Sequence, residues 1–309
     1  MKKKILSIGS CQSTMILKYL RTQEHFDCNF ETSIPAKQVY QMNDEDIEKL
    51  HNQICEADIL LIQPVTDGYK NQYQIKQPPG ALSTKTLVGK LKKNTQVIIS
   101  PVMFFNAYHP SFFRPGVRFP SDNHDINLMG LFARNASNEV LTSTQIEDVI
   151  DEYMEKIYSP EIYSKDELES KAKNAIDSLL KKESDIKTTD YCHEVTFIPI
   201  AEFIHRNWQD NLLFSTCNHP THSLYSYLVK EVGKCLDIPL ADLPDLSPHM
   251  DDIGTYYKCL DQIVNFDAAA IQPRLKGKET VRDVARLYVN AYNENREQVI
   301  ELARKLSSR

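Results

Sequence analysis

The chain has 309 residues with a net charge of −6; 41% are hydrophobic, 25% are charged and only 9 are glycine. This composition suits a soluble globular protein with a substantial core and excludes global disorder. Its basic residues are scattered, so the electrostatic footprint of a nucleic-acid binder is missing, and no apolar run approaches the length of a membrane span.

The opening MKKKILSIGSCQS is basic, but its apolar stretch is too short and too interrupted for a signal peptide. The seven cysteines (11, 28, 55, 192, 217, 235, 259) include no CxxC pair and are odd in number. Together these features predict a reducing, cytoplasmic setting.

Lys4 through Ile8 reads as a strand that stops at Gly9, after which Met15, Ile16, Tyr19 and Leu20 recur at helical spacing. Asn43 is placed to cap a helix carrying Ile47, Leu50 and Ile54, and Asp58 to Val65 (DILLIQPV) then reads as a buried strand. Ser83 starts a helix with Leu87 and Leu91 on one face, followed by a strand at Val97 through Val102. Strands alternating with amphipathic helices predict an α/β fold: a three-layer, doubly wound, mostly parallel sheet with right-handed crossovers.

Residues 142–182 shift to charged, helix-forming sequence broken at Ser159-Pro160, which reads as a helical insertion into a single domain spanning 1–309. A core pattern resumes at Thr196, with a short helix near Ile200 to Trp208 and a strand at Asn211 through Thr216. Leu224, Leu228, Val232 and Leu236 mark the next helix. Val281, Val284, Leu287, Tyr288 and Ala291 mark a long terminal one, within a C-terminal helical region of about 240–309.

Ligands of open parallel sheets bind outside the carboxyl ends of the strands. Polar groups at such points are Gly9-Ser10-Cys11-Gln12, Gln63 to Tyr69, Phe104 to His109 and Asn218-His219, which are expected to converge on one sheet edge. Cys11 would occupy the first turn of its helix, where unpaired N–H groups and the dipole favour a thiolate. The Gln12 N–H would be available to an oxyanion, and Ser10 reads as an N-cap rather than a nucleophile. On spacing alone, Cys11 could equally be a small residue filling a tight turn.

His219 precedes Pro220 at a helix entry and could serve as a general base, or simply cap or pack. Cys217, His219 and His222 lack a second Cys/His cluster with zinc spacing, so no metal is expected. Gln63 lies in an apolar strand and needs partners for its buried amide, while Pro64 and Asp67-Gly68-Tyr69 form a turn at the expected edge. His109 sits in the aromatic stretch FFNAYHPSFF, whose neighbours suit a core as well as a ligand platform.

These blocks resemble the WcbI-type capsular polysaccharide biosynthesis acetyltransferase family, which binds coenzyme A on an SGNH-hydrolase-like fold. Gly9-Ser10-Cys11-Gln12 resembles that family's opening G-N-C-Q, with serine replacing asparagine. Gln63-Pro64 with Gly68-Tyr69 is similar to its second block, His109-Pro110 to its third, and Asn218-His219-Pro220 to its N-H-P block. Their order and spacing span roughly residues 1 to 240. Cys11 also stands where SGNH hydrolases carry the serine of G-D-S, and residues 219–222 stand at their D-x-x-H block, although no aspartate occupies it here.

The resemblance implies acyl transfer from CoA or acyl-CoA to a saccharide hydroxyl. Cys11 and His219, rather than His222, would be the central catalytic pair. Gly9, Ser10, Gln12, Gln63, Tyr69, His109 and Asn218 would line the cofactor site, with Lys85, Arg114 and Arg118 as candidate phosphate ligands. An esterase or thioesterase, or a CoA- or nucleotide-binding module without turnover, are the competing readings. The oligomeric state, a homo-oligomer included, stays open.

Overall fold

The structure is a computed structural model and describes residues 2–35, 37–69, 80–114, 119–121, 123–136, 139–246, 257–267 and 280–307. In chain order it runs β1 (Lys3–Ile8), α1 (Cys11–Leu20), α2 (Glu24–Asn29), β2 (Phe30–Ser33), α3 (Asp44–Ile54), β3 (Ile59–Ile62), α4 (Thr84–Val88) and β4 (Gln96–Ile99). There follow β5 (Phe112–Phe113), β6 (His124–Asp125), α5 (Ile126–Asn135), α6 (Ser143–Tyr158), α7 (Lys165–Thr188), β7 (Val195–Phe197) and α8 (Ala201–Asn207). The chain ends with β8 (Phe214–Thr216), β9 (His219–Pro220), α9 (His222–Cys235), α10 (Val281–Glu294) and α11 (Arg296–Ser307). Two compact units interleave along the sequence: 1–103, 177–206 and 220–247 form the first, and 104–176, 207–219 and 248–309 the second.

The first unit is built on a five-stranded sheet of order β2-β1-β3-β4-β7, with every neighbouring pair parallel. Strands buried on both faces need near-continuous apolar sequence, which ILLI in β3 and VII in β4 supply. Leu6, Ile8, Leu60, Ile62, Val97 and Ile99 share one face and pack with Ile47, Leu50 and Ile54 of α3, Leu87 and Val88 of α4, and Ile186 of α7. The alternate residues point to the opposite face, where Ser7 Oγ donates to the Ser13 carbonyl of α1 at 3.5 Å and Gln96 Nε2 donates to the Cys235 carbonyl of α9 at 2.8 Å. Asn43 forms a capping box with Asp46 on α3, and Ser83 accepts from Thr86 N on α4, so both expected caps are in place.

Three sequence expectations change. The edge strands β2 and β7 escape periodicity because each is only three or four residues long and partly solvent-facing. The strand expected at Asn211–Thr216 shrinks to β8, which pairs with β9 in a separate two-stranded sheet. Of the four loops expected to converge on one parallel edge, Gly9–Gln12 and Gln63–Tyr69 leave the carboxyl ends of β1 and β3. The other two loops belong to the second unit. Finally, the single terminal helix is two helices, because the chain leaves helical geometry at Asn295 (φ −114, ψ 33) before α11 resumes.

In the second unit, α5 packs against α6, α10 and α11, and α6 packs against α10. The charged stretch 142–182 thus carries core rather than standing off as an appendage: Val149, Ile150, Tyr153 and Ile157 of α6 are buried. No helix among the described residues is long and apolar enough to cross a membrane. The unit is pinned by Asp125, which caps α5 by accepting from Asn127 N (2.8 Å) and Leu128 N (3.2 Å) through Oδ1. Its Oδ2 accepts from the hydroxyls of Ser111 (2.6 Å), Tyr257 (2.8 Å) and Tyr153 (3.0 Å).

Burial pushes the Asp125 carboxyl up while these donors pull it back. Asp125→Asn keeps the size but sets an NH2 group against three hydroxyl donors. It is expected to lower stability by about 2 kcal/mol in equilibrium denaturation; a neutral result would show that Asp125 is not the pin.

Candidate functional site

In the order β2-β1-β3-β4-β7, the direction of strand addition reverses between β1 and β3, which opens a crevice outside their carboxyl ends. Gly9–Gln12 leaves β1 and Gln63 leaves β3 at this point. Gln63 Oε1 accepts from Ser10 N at 2.8 Å and from Ser10 Oγ at 2.7 Å. Its Nε2 donates to Gln12 Oε1 at 2.9 Å and to the Pro101 carbonyl at 3.4 Å. Gln12 in turn grips the backbone of Met103, donating through Nε2 to the carbonyl (2.7 Å) and accepting the N–H through Oε1 (3.0 Å). A Cβ on Gly9 would lie 2.6 Å from Gln63 Oε1, so the close approach of that amide requires glycine.

Both glutamine amides are therefore occupied within the protein, and they position the turn. Ser10 Oγ caps α1 by accepting from Gln12 N at 3.3 Å, so the N–H expected to face an oxyanion instead serves the cap. Cys11 is the first residue of α1 and is partly exposed. Beside it, burial first, and then the charges of Cys11 and Tyr19, raise the Tyr225 phenol well above its ordinary range. Tyr19 lies 5.4 Å from Tyr225 between ring centroids, and its hydroxyl meets His222 Nδ1 at 3.4 Å. His222 Nε2 lies 3.1 Å from Ser226 Oγ.

Among the other thiols, Cys217 is buried, and burial pushes those of Cys235 and Cys259 up, the latter to about 11. Tyr69 is 37% exposed in the turn after β3. Lys85 lines a cavity at the carboxyl ends of β3 and β4, together with residues from the second half of α7.

In the second unit, β8 and β9 bring Thr216, Asn218 and His219 together. Thr216 Oγ1 lies 2.5 Å from His219 Nδ1 and donates to Asn218 Oδ1 at 3.4 Å. In the tautomer with the imidazole hydrogen on Nδ1, Thr216 accepts from it and Nε2 keeps its lone pair. Burial, with a smaller push from the Arg114 charge, lowers the His219 imidazole to about 4. It is neutral at pH 7. Arg114 donates through Nε to Asn123 Oδ1 at 2.7 Å. His109 is 4% exposed, inside the aromatic stretch that precedes β5. Arg118 lies outside the described residues. Among the described residues, no group of three or more His, Cys, Asp or Glu is arranged to hold a metal.

The family model described as polysaccharide biosynthesis enzyme WcbI matches residues 4–241. The chain belongs to the WcbI family of polysaccharide biosynthesis enzymes. A solved structure of a protein named WcbI, described as a novel polysaccharide biosynthesis enzyme in its native form without a disulfide between CoA and one of its cysteines, superimposes with a TM-score of 0.61. It is 20% identical, and the match covers 98% of this chain and 99% of that one, so the likeness speaks to the fold. Comparison with curated proteins gave no match.

For this WcbI-family chain, sequence reasoning missed Tyr225 as a neighbour of Cys11, and Thr216 as the partner of His219. Tyr225 lies outside the Leu224, Leu228, Val232 and Leu236 pattern that marked its helix, and Thr216 read as the end of a strand. The depressed imidazole has a measurable consequence. Between pH 6.5 and 4 the unfolded chain binds a proton at residue 219 that the folded protein refuses, so stability falls as pH drops through that window. His219→Gln should flatten the decline by about 1–2 kcal/mol across it, read from denaturant midpoints at each pH. Parallel wild-type and variant curves would mean the imidazole is not held neutral.

Proposed function

We propose that this chain is a CoA-dependent acyltransferase that moves an acyl group, acetyl in the simplest case, onto a saccharide hydroxyl. The observation that carries this reading is Cys11, partly exposed on the first turn of α1 at the switch point of a WcbI-family sheet. The WcbI structure, described by its lack of a disulfide between CoA and a cysteine, supports CoA as the cofactor and Cys11 as the sulfur that meets it. The strand order supports the finer fold reading, an SGNH-hydrolase-like, doubly wound arrangement.

In the proposed reaction, the Cys11 thiolate attacks the acyl-CoA carbonyl, and the CoA thiolate leaves and is protonated from solvent. The saccharide hydroxyl then attacks the Cys11 thioester while its proton passes to a neutral imidazole, and the Cys11 thiolate is released. His219 suits this role in the tautomer with the hydrogen on Nδ1, where Thr216 accepts from Nδ1 and the Nε2 lone pair is the proton acceptor. His222, whose ring lies against Tyr19 and Ser226, supports the Cys11 side. Arg114 is the proposed phosphate ligand among the described cations. Water in place of the sugar would make the same site a thioesterase, so product analysis with and without acceptor separates the two.

CoA should raise Tm in a concentration-dependent way that weakens with salt; no shift at about 1 mM would remove CoA from the reading. Cys11→Ala should abolish the acyl-enzyme seen by mass spectrometry with acetyl-CoA. His219→Ala should reduce kcat by about 100-fold or more, and His222→Ala by much less. The reverse ranking would transfer the base role to His222, and two near-neutral variants would leave a binding protein without turnover.

A further inference from the structure

We propose that the cavity at the carboxyl ends of β3 and β4 is a binding site for a neutral saccharide, the acceptor of the reaction proposed above, on which this assignment rests. The cavity has a volume of about 510 Å³, within the range of roughly 300–1,000 Å³ that small-ligand sites occupy. It lies within the first unit, between the loops that follow β3 and β4, the start of α4 and the second half of α7.

Its charges are balanced. Lys85 and Lys182 contribute two ammonium groups, Asp67 and Asp185 two carboxylates, and none of the four is in an ion pair among the described residues. Four unpaired charges of both signs around one cavity offer alternating donors and acceptors, which is what adjacent sugar hydroxyls, each donor and acceptor at once, can satisfy. Apolar surface comes from Val102, which is 40% exposed, and Ile186, with the ring of Tyr191 beside them. A pyranose has such a pair of faces, with C–H groups on one side and hydroxyls around its edge. The phosphates of CoA fit poorly, because each would approach the carboxylates of Asp67 and Asp185 as well as the lysines. Lys85, a phosphate candidate by sequence, is thereby assigned to the acceptor.

The cavity is also coupled to the Cys11 turn by one side chain. Gln63, which fixes Ser10, immediately precedes Pro64 on the cavity wall and donates to the Pro101 carbonyl on its rim. A rigid amide thus sets the acceptor cavity and the thiol turn in register within one unit.

The test uses the full chain and ligand-observed saturation-transfer NMR with the methyl glycosides of glucose, galactose, mannose, N-acetylglucosamine and N-acetylgalactosamine. At least one glycoside should receive saturation at its ring protons. Asp67→Asn combined with Asp185→Asn, and separately Tyr191→Ala, should weaken that binding about tenfold or more while the CoA-induced Tm shift stays unchanged. The two aspartates form no ion pairs among the described residues, so their replacement removes none of these contacts, and an unchanged ligand-free Tm checks that the fold is kept. Saturation of none of the glycosides, or equal saturation in wild type and variants, overturns the proposal. Loss of the CoA shift in the cavity variants also overturns it, by giving the cavity to the cofactor. Absence of a CoA shift in the wild type would fail the cofactor reading by itself, whatever the sugar result.

Discussion

Gln63 is 1% exposed at the end of an apolar strand, and burying its amide there is tolerable because all four of its hydrogen-bond positions are used. Those bonds join the β1–α1 turn, the end of β3 and the loop after β4. The geometry of the crevice follows from them. Gly9 has to be glycine to admit the amide, Ser10 is held in place to cap α1, and Cys11 is thereby delivered to the first turn of a helix at the point where strand order reverses. A leucine at residue 63 would leave the half-buried Ser10 N–H without its partner and Gln12 Oε1 with only the Met103 N–H.

The second unit uses the same device for a different end. Asp125 gathers three hydroxyls and two backbone N–H groups, so the elements around it are fixed by a polar hub in an otherwise apolar core. In the β8–β9 hairpin, Thr216 meets both His219 Nδ1 and Asn218 Oδ1 and so holds the imidazole ring in place. Burial keeps that imidazole neutral at pH 7, where a proton acceptor has to be unprotonated to act.

Charge is distributed unevenly across the first unit. Tyr225 lies beside Cys11, and through it runs an aromatic and hydroxylic cluster of Tyr19, His222 and Ser226. The cavity bordered by Pro64 and Pro101 instead carries both signs of charge in equal number. The buried Gln63 amide lies between these two environments, bonded to Ser10 on one side and to the Pro101 carbonyl on the other.

The sequence by itself determined the local parts. The apolar runs of β1, β3 and β4, the caps at Ser10, Asn43 and Ser83, and the need for partners at Gln63 are all consequences of neighbours a few residues away, and all are present. The ordered G-S-C-Q, Q-P, H-P and N-H-P blocks were enough to recognise the family, because spacing survives where identity has fallen to 20%. Only tertiary structure decided what depends on distant partners. Three- and four-residue edge strands have too little period to read, and they form because a neighbouring strand offers its backbone. Whether Gln12 and Gln63 bind a ligand or each other is decided by a contact 51 residues apart in the chain, and Lys85 shares its cavity with aspartates from the loop after β3 and from α7. No local pattern records such contacts, because they arise only when the sheet brings the ends of its strands together.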